Sequence, residues 1–390
     1  MTTPISSVPL AGPSLRTEPA GRRPPETITG GAAIVYRLFD VGYEIKLERV
    51  VELLAGNAPE RAGPTRSEAQ AIQIRNPPIN ITIATETVTI GDTRALAEIS
   101  ARIFDFGVIS LRARIEIMVA SWAEFSTLGN RASQRAAWAP HFQRHLDALI
   151  GRIRSAIERP MLSPVTEDYV VFRMRGLTDV DGLGAAGSLT DDELAQLLLN
   201  ERRPLSASAR RELLPHRFSY YHDDLAILTW DGALVVEPAD EDADIQYVLE
   251  FANAQLLELR VYDAMLDAEL PKMYDRVEVA RRRPALLSRR YAAVLGDLQT
   301  QVADVTEVME RVQNALKVTD DVYLARVYST ALEIFREREW RKGIERKLTI
   351  IRETYEMLNA EAQAARAEAL EVMVVLLIVA EIALALAARH

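Results

Sequence analysis

The sequence has no cysteine among its 390 residues and only five lysines. The missing cysteines exclude disulfides, thiolate metal sites and cysteine nucleophiles. The formal net charge is −10 and the pI is about 5.3, which argues against a dedicated nucleic-acid-binding protein and against a polybasic lipid-binding surface. Hydrophobic residues make up 48% of the chain and charged residues 26%, so the composition is that of a folded protein.

The amino-terminal segment lacks the long apolar core that a secretory signal requires. Residues 1–30 are instead rich in Pro, Ser, Thr and Gly, a composition typical of a disordered leader. We therefore expect the folded part of the protein to face the cytoplasm.

Alternating apolar residues predict β-strands in the first part of the folded chain. The segments 79–85 and 108–117 place apolar residues at every second position, as antiparallel strands with one buried face do. Together with a helical pattern at 46–56, they predict an α+β module over 31–130. A connecting helix is expected over 131–164.

A second small α/β module is predicted over 165–243. Its helix begins with a Thr-x-x-Glu capping box, from Thr190 to Glu193. A β-hairpin follows, which turns at Asp231 and Gly232 because both residue types adopt positive φ at low cost.

Helical periodicity dominates residues 244–367 and predicts a coiled-coil stalk. One apolar seam steps alternately by four and three residues for nearly four heptads. Its residues are Leu295, Leu298, Val302, Val305, Met309, Val312 and Leu316. A second apolar run covers 340–369, so we expect the two runs to pack as a long antiparallel hairpin, with an intermolecular coiled coil as the alternative.

The chain closes with an apolar helix, and the segment 368–389 is predicted to be a transmembrane tail anchor. Its Val, Leu and Ile residues contribute roughly −3 to −6 kcal/mol to insertion, against roughly +2.5 to +3.5 kcal/mol for one central acid. The anchor residues are Val372, Leu376, Val379 and Leu386. The alternative is a core helix of a soluble bundle.

Glu381 lies in the middle of this helix, on the side away from its 4-3 seam. An acid in hydrocarbon faces protein or water, which predicts an intramembrane contact of Glu381 with another helix. The predicted partners are the lipid bilayer and either a second copy or another membrane protein. The alternative is a tolerated acid without a partner.

Candidate chemistry is sparse in this sequence. His216, His222, Asp223 and Asp224 are candidate ligands for a hydrolytic metal site if the fold brings them together. The string GLGAAG at 182–187 matches a dinucleotide fingerprint, but it does not directly follow a strand, as such a fingerprint must. We therefore predict no cofactor and no catalytic residue.

The second half of the chain resembles the required-for-meiotic-nuclear-division family. The resemblance covers 165–389 and is carried by the strings YVVF, FSYYHDDLAILTWDGALVVEP, VLEFANAQLLELRVYDAMLD and LEVMVVLLIVAEIALAL. It implies an α/β module, coiled-coil helices and a terminal span, in a membrane-tethered scaffold or assembly factor.

Taken together, the predicted fold class is α+β: two small α/β modules, a long antiparallel helical hairpin and one C-terminal transmembrane helix. The predicted function is a non-catalytic scaffold that holds a partner complex at the inner membrane, single-pass and facing the cytoplasm. The alternatives are a metal-dependent enzyme with a pocket between the two modules and a wholly soluble helical oligomer.

Overall fold

The computed structural model describes most of the chain outside its amino-terminal segment. The described residues are 27–28, 30–57, 59–61, 72–74, 76–118, 121–175, 177–178, 189–201, 203–221, 224–237, 244–281, 296, 300, 303, 316–318 and 322–387.

The secondary structure is named here in chain order. The strands are β1 Thr27–Ile28, β2 Gly31–Asp40, β3 Gly42–Ile45, β4 Glu60–Arg61, β5 Ile72–Ile74, β6 Ile79–Ile90, β7 Thr93–Ile103, β8 Val108–Ile117, β9 Ile157–Pro160, β10 Thr166–Met174, β11 Leu177–Thr178, β12 His216–Phe218, β13 Leu225–Leu228, β14 Gly232–Val236 and β15 Leu316–Val318. The helices are α1 Leu47–Leu53, α2 Trp122–Ala132, α3 Arg135–Ile153, α4 Asp191–Leu198, α5 Ala207–Leu213, α6 Asp244–Arg281, α7 Val322–Ile334 and α8 Glu337–Ala387.

One large mixed sheet organises the fold. Among the described residues, nine strands of this sheet lie in the order β12-β13-β14-β10-β2-β8-β7-β6-β4. Strand β10 runs parallel to β14 and antiparallel to β2, and it pairs with β2 from Thr166 opposite Phe39 to Met174 opposite Gly31. The prediction of two separate α/β modules is therefore wrong, because strands from both predicted modules join edge to edge at this ladder.

The central strand β2 explains why the sheet needs a cover on both faces. Ala33 and Val35 point into one apolar cluster with helices α2, α3 and α4, whereas Ile34 and Tyr36 point into another with α6 and α7. Successive side chains of a strand point to opposite faces, so a strand buried on both faces shows no alternation in its sequence. Helices on both sides give a three-layer domain.

Two local sequence signals are confirmed. Thr190 caps α4, and Glu193 closes the capping box. The hairpin of β13 and β14 also forms, but Gly232 is required there for a different reason than positive φ. A Cβ at this position would lie 2.7 Å from the carbonyl oxygen of Val170 on the parallel neighbour β10.

Helices α6 and α8 pack side by side and extend the fold beyond the sheet. The Arg260 guanidinium lies 6.0 Å from the Trp340 ring, and Lys347 Nζ bonds Asp263 at 2.7 Å and Asp267 at 2.6 Å. Contacting positions rise together along both helices, so the two run parallel. The predicted antiparallel hairpin is wrong, because in the described part of the chain the second apolar run packs in parallel on α6.

The predicted seam from Leu295 to Val312 lies outside the described residues. Leu316, its last member, begins strand β15, which pairs with β5. This position of the expected coiled coil is therefore extended chain.

Just before β8 the backbone of Gly107 lies so close to the backbone of Gly42 that no side chain fits at position 107. Gly107 has a φ of +97°, and a Cβ there would lie 1.8 Å from the carbonyl oxygen of Gly42. We predict that Gly107→Ala lowers the free energy of unfolding by about 3 kcal/mol or more, from left-handed backbone strain and the clash. The measurement is urea unfolding.

The matched control is Gly151→Ala. Gly151 lies within α3 and a Cβ there meets nothing within 4 Å, so this variant should gain up to about 1 kcal/mol from helix propensity. Equal stability of Gly107→Ala and the wild type would contradict the crossing geometry.

A buried acid at the end of β2 predicts a pH-dependent stability. Burial raises the pKa of Asp40 to about 7, although the Gly42 backbone N–H donates a hydrogen bond to its carboxyl. Unfolding therefore releases a proton between about pH 4 and pH 7, so this group makes stability fall as pH rises through that window and level off above it.

We predict that Asp40→Asn becomes more stable relative to the wild type as pH rises from about 4 to 7, by on the order of 2–4 kcal/mol. Chemical denaturation at several pH values measures this difference. Asp92→Asn is the control, because the Asp92 side chain is 88% exposed and should show no such trend. A pH-independent difference for Asp40→Asn would refute the assignment.

Candidate functional site

The carboxyl-terminal part of α8 exposes a continuous apolar surface. Helix α8 has 51 residues, and its early apolar residues pack against α6. Farther along, every large hydrophobic side chain described between 370 and 384 is more than half exposed. These residues are Leu370, Val372, Met373, Val374, Val375, Leu376, Leu377, Ile378, Val379, Ile382 and Leu384. We call this stretch the terminal apolar segment.

Among the residues that the structure describes, no helix is both long and apolar enough to cross a membrane. The terminal apolar segment, residues 370–384, is ~22 Å long at ~1.5 Å per residue. The predicted transmembrane tail anchor over 368–389 and the inner-membrane location are therefore wrong.

The predicted anchor residues nevertheless share one exposed helix. Val372, Leu376 and Val379 are exposed on α8, and Glu381 is exposed as well. Leu386 belongs to the same helix, but its side chain lies outside the described set. The contact predicted for Glu381 with another helix stays a prediction.

Of the four candidate metal ligands, the structure describes His216 and Asp224. His216 begins the edge strand β12, and the Asp224 carboxylate accepts hydrogen bonds from the backbone N–H groups of Tyr220 and Tyr221 at 2.8 and 2.9 Å. His222 and Asp223 lie outside the described residues. Within the described part of the chain, no three His or carboxylate side chains are placed to hold a metal ion.

A carboxylate instead ties helix α3 to strand β6. Glu86 bonds His141 Nδ1 at 2.8 Å, lies 3.4 Å from His145 Nε2 and pairs with Arg144. Desolvation opposes ionisation of Glu86, but hydrogen bonds from the two histidines and the Arg144 charge outweigh it and lower its pKa. The two histidines, one helical turn apart on α3, therefore both contact the Glu86 carboxylate and hold the helix against β6.

A buried ion cluster lies between the sheet and α6. Arg102 on β7 bonds Glu250 of α6 at 2.6 Å and Asn80 at 2.8 Å, with both charged side chains almost fully buried. Arg112 on β8 lies 3.7 Å from the same Glu250 oxygen and 3.4 Å from Asn80. Two guanidinium groups therefore share one carboxylate.

Two tyrosines complete the surroundings of this cluster. The Tyr247 ring lies 4.5 Å from the Arg102 guanidinium carbon, and Tyr36 lies opposite Arg112 across the β2–β8 ladder. Burial raises the pKa of both phenols well above its usual value. Both phenols therefore stay neutral, and Glu250 is the anion that faces the two arginines.

This cluster was missed in the sequence because its parts are far apart in the chain. Arg102 and Glu250 are separated by 148 positions. The available signal was the pair of arginines at 112 and 114, which puts two cations on one face of a strand in an otherwise apolar alternation.

The fold and the exposed helix together define a protein with a three-layer domain, built on a mixed and mainly antiparallel sheet, and a helical extension. Comparison with known proteins identifies its family. Residues 30–243 match the family model described as the N-terminal domain of the uncharacterized protein MJ0711, and the chain belongs to this family.

The uncharacterized protein MJ0711 of Methanocaldococcus jannaschii is 29% identical over 194 residues, which are 50% of this chain and 59% of the relative. The chain thus spans about three fifths of the relative's length. No solved structure matches. The predicted resemblance to the required-for-meiotic-nuclear-division family over 165–389 is wrong, because the match lies mainly in the other half of the chain.

The ion cluster predicts an asymmetric response to loss of charge. Replacing Glu250 with Gln should lower the free energy of unfolding by about 3–5 kcal/mol, because it leaves two buried cations without a counter-charge. Glu52→Gln is the control: the exposed pair of Arg49 and Glu52 should contribute less than about 0.5 kcal/mol. Denaturant unfolding measures both, and similar small losses would contradict the cluster's role.

Proposed function

We propose that this protein is a non-catalytic assembly scaffold that self-associates through the terminal apolar segment of α8. One observation supports the proposal: eleven large hydrophobic side chains between Leu370 and Leu384 are exposed. Exposed contiguous apolar patches of this kind mark interaction sites.

The size of the segment fits a stable interface. A helix ~22 Å long and ~10 Å wide presents a lateral surface on the order of 700 Å². Stable interfaces bury ≈ 800 Å² per partner. One helix pressed against one other covers less than half of its surface, so a bundle of three or more copies comes closest to that size.

The positions of two acids favour a second copy of this chain as the occupant. Val372, Leu376 and Val379 form a 4-3 seam; Glu381 falls on the opposite side of the helix, and Glu371 falls on its flank, ~100° from the seam. Copies packed through the seam keep their carboxylates in water and apart. The seam carries no charge that would select a different partner.

The exposure of Val372, Leu376 and Val379 makes this seam accessible to other copies. Contacts between α6 and α8 pair residues about 80 positions apart, as Asp267 with Lys347. The same offset puts the end of α6, Arg281, level with position 361, and α8 continues to Ala387. Among the described residues, the terminal apolar segment therefore lies beyond the part of α6 that packs on α8.

The test compares two neighbouring leucines that are both 63% exposed, Leu376 in the seam and Leu377 outside it. We predict that the full-length protein is an oligomer by light scattering, that Leu376→Asp lowers its mass to the monomer, and that Leu377→Asp leaves the oligomer largely intact. Circular dichroism verifies that both variants fold.

A monomeric wild type, or equal loss of association in both variants, would contradict the proposal. Equal effects together with binding to phospholipid vesicles would replace the second copy by a lipid surface as the occupant.

A further inference from the structure

A cavity of about 750 Å³ lies at the corner between helices α7 and α8. Its wall is formed by α7 residues between Ser329 and Glu333 and by α8 residues between Glu337 and Arg341. Cavities of this volume are typical of sites that bind small molecules. The corner therefore offers open space for a ligand beside two helices.

Arg336, which joins the two helices and lines the cavity, has a backbone conformation that arginine seldom adopts. Its φ is +52°, in the left-handed region that favours glycine and asparagine. Backbone bonds close the turn, since the Arg336 N–H donates to the Glu333 carbonyl and the Arg336 carbonyl accepts from the N–H groups of Glu339 and Trp340. The turn itself therefore needs no guanidinium group, and a residue held in such a conformation points to a function.

Four charged side chains in the cavity wall form no ion pair within the described part of the chain. Two are cations, Arg336 and Arg338, and two are anions, Glu333 and Glu339. All four side chains are exposed, so a ligand that enters the cavity can reach them. The wall thus presents equal numbers of available cations and anions.

A further pair of charges in the wall is already satisfied. Arg341 Nε donates to Glu337 Oε1 at 2.7 Å, and the two side chains are only 24% and 12% exposed. This pair leaves the balance of available charges unchanged.

The available charges define the chemistry of the ligand. Guanidinium groups bind a carboxylate through charge-assisted hydrogen bonds, and carboxylates accept hydrogen bonds from an ammonium group. A ligand with charge of one sign would bring a like charge towards part of the wall, which is unfavourable. A ligand that carries one carboxylate and one ammonium group matches both kinds of charge.

We propose that this cavity binds a small zwitterion with a free carboxylate and a free ammonium group, either a free amino acid or a short peptide. Arg336 and Arg338 hold the carboxylate, and Glu333 and Glu339 hold the ammonium group. This site is independent of the terminal apolar segment and of the scaffold proposed for it.

The test is calorimetric titration of the full-length protein with trialanine, with N-acetylated trialanine and with C-amidated trialanine, at low ionic strength to limit screening. We expect saturable binding of trialanine and about fivefold weaker binding of each blocked peptide, because each blocked peptide lacks one of the two charges. Alanine in a fourth titration separates the two sources: binding as tight as that of trialanine identifies a free amino acid, and weaker binding identifies a peptide.

Two variants separate binding from folding. Arg336→Gly removes the guanidinium group but suits the positive φ, so its midpoint of urea unfolding should not fall, whereas its binding of trialanine should weaken about fivefold. Glu339→Gln should weaken binding of trialanine and leave binding of the N-acetylated peptide, which has no ammonium group, as in the wild type.

The matched control is Arg346→Gln. Arg346 is exposed on α8 outside the cavity wall, so this variant should bind trialanine as the wild type does. Absence of saturable heat with trialanine, equal binding of the three tripeptides, or unchanged binding in both Arg336→Gly and Glu339→Gln would each overturn the proposal.

Discussion

The packing of α6 onto the second face of the sheet is the contact on which the rest of the structure depends. That face is apolar at its centre, where Phe251 of α6 meets Phe104 and Phe106 with ring centroids 5.9 and 6.0 Å apart. Beside this aromatic contact, Glu250 enters between Arg102 and Arg112. The aromatic rings supply the free energy of burial, and the ion pair fixes the position of the helix, since a displaced α6 leaves buried charges unpaired.

The consequences of this packing reach both ends of the molecule. The region that matches the family model ends at residue 243, one residue before α6 begins, so the matched region alone contains a sheet face that α6 covers in this chain. The same helix continues past the sheet, where its Leu259 and Leu266 belong to one apolar cluster with Ile344 of α8. The position of the terminal apolar segment is thus set by a helix that is anchored on the sheet.

Local sequence signals predicted local structure well and long-range pairing poorly. The Thr190 capping box and the β13–β14 hairpin were predictable because each involves residues a few positions apart. The pairing of β2 with β10 joins residues 127 to 143 positions apart, and nothing in either strand alone specifies its neighbour. The two-module prediction failed at this ladder, and the antiparallel hairpin failed because an apolar helix face does not encode the direction of its partner.

The candidate sites differ in the same way. The terminal apolar segment was visible in the sequence as an apolar run that Glu381 interrupts, but the same run is compatible with a membrane span, a bundle core or an exposed helix. The ion cluster gave a weak signal, because Arg112, Arg102 and Glu250 meet only after three separate elements fold together.

Native-state hydrogen exchange on the full-length protein tests the central dependence most directly. If α6 and the sheet form one cooperative unit, the amides of β2 and those of residues 244–258 in α6 will exchange through the same global opening, with equal free energies and equal denaturant dependence. Exchange of the α6 amides through a separate opening of much lower free energy, while β2 stays protected, would contradict the account.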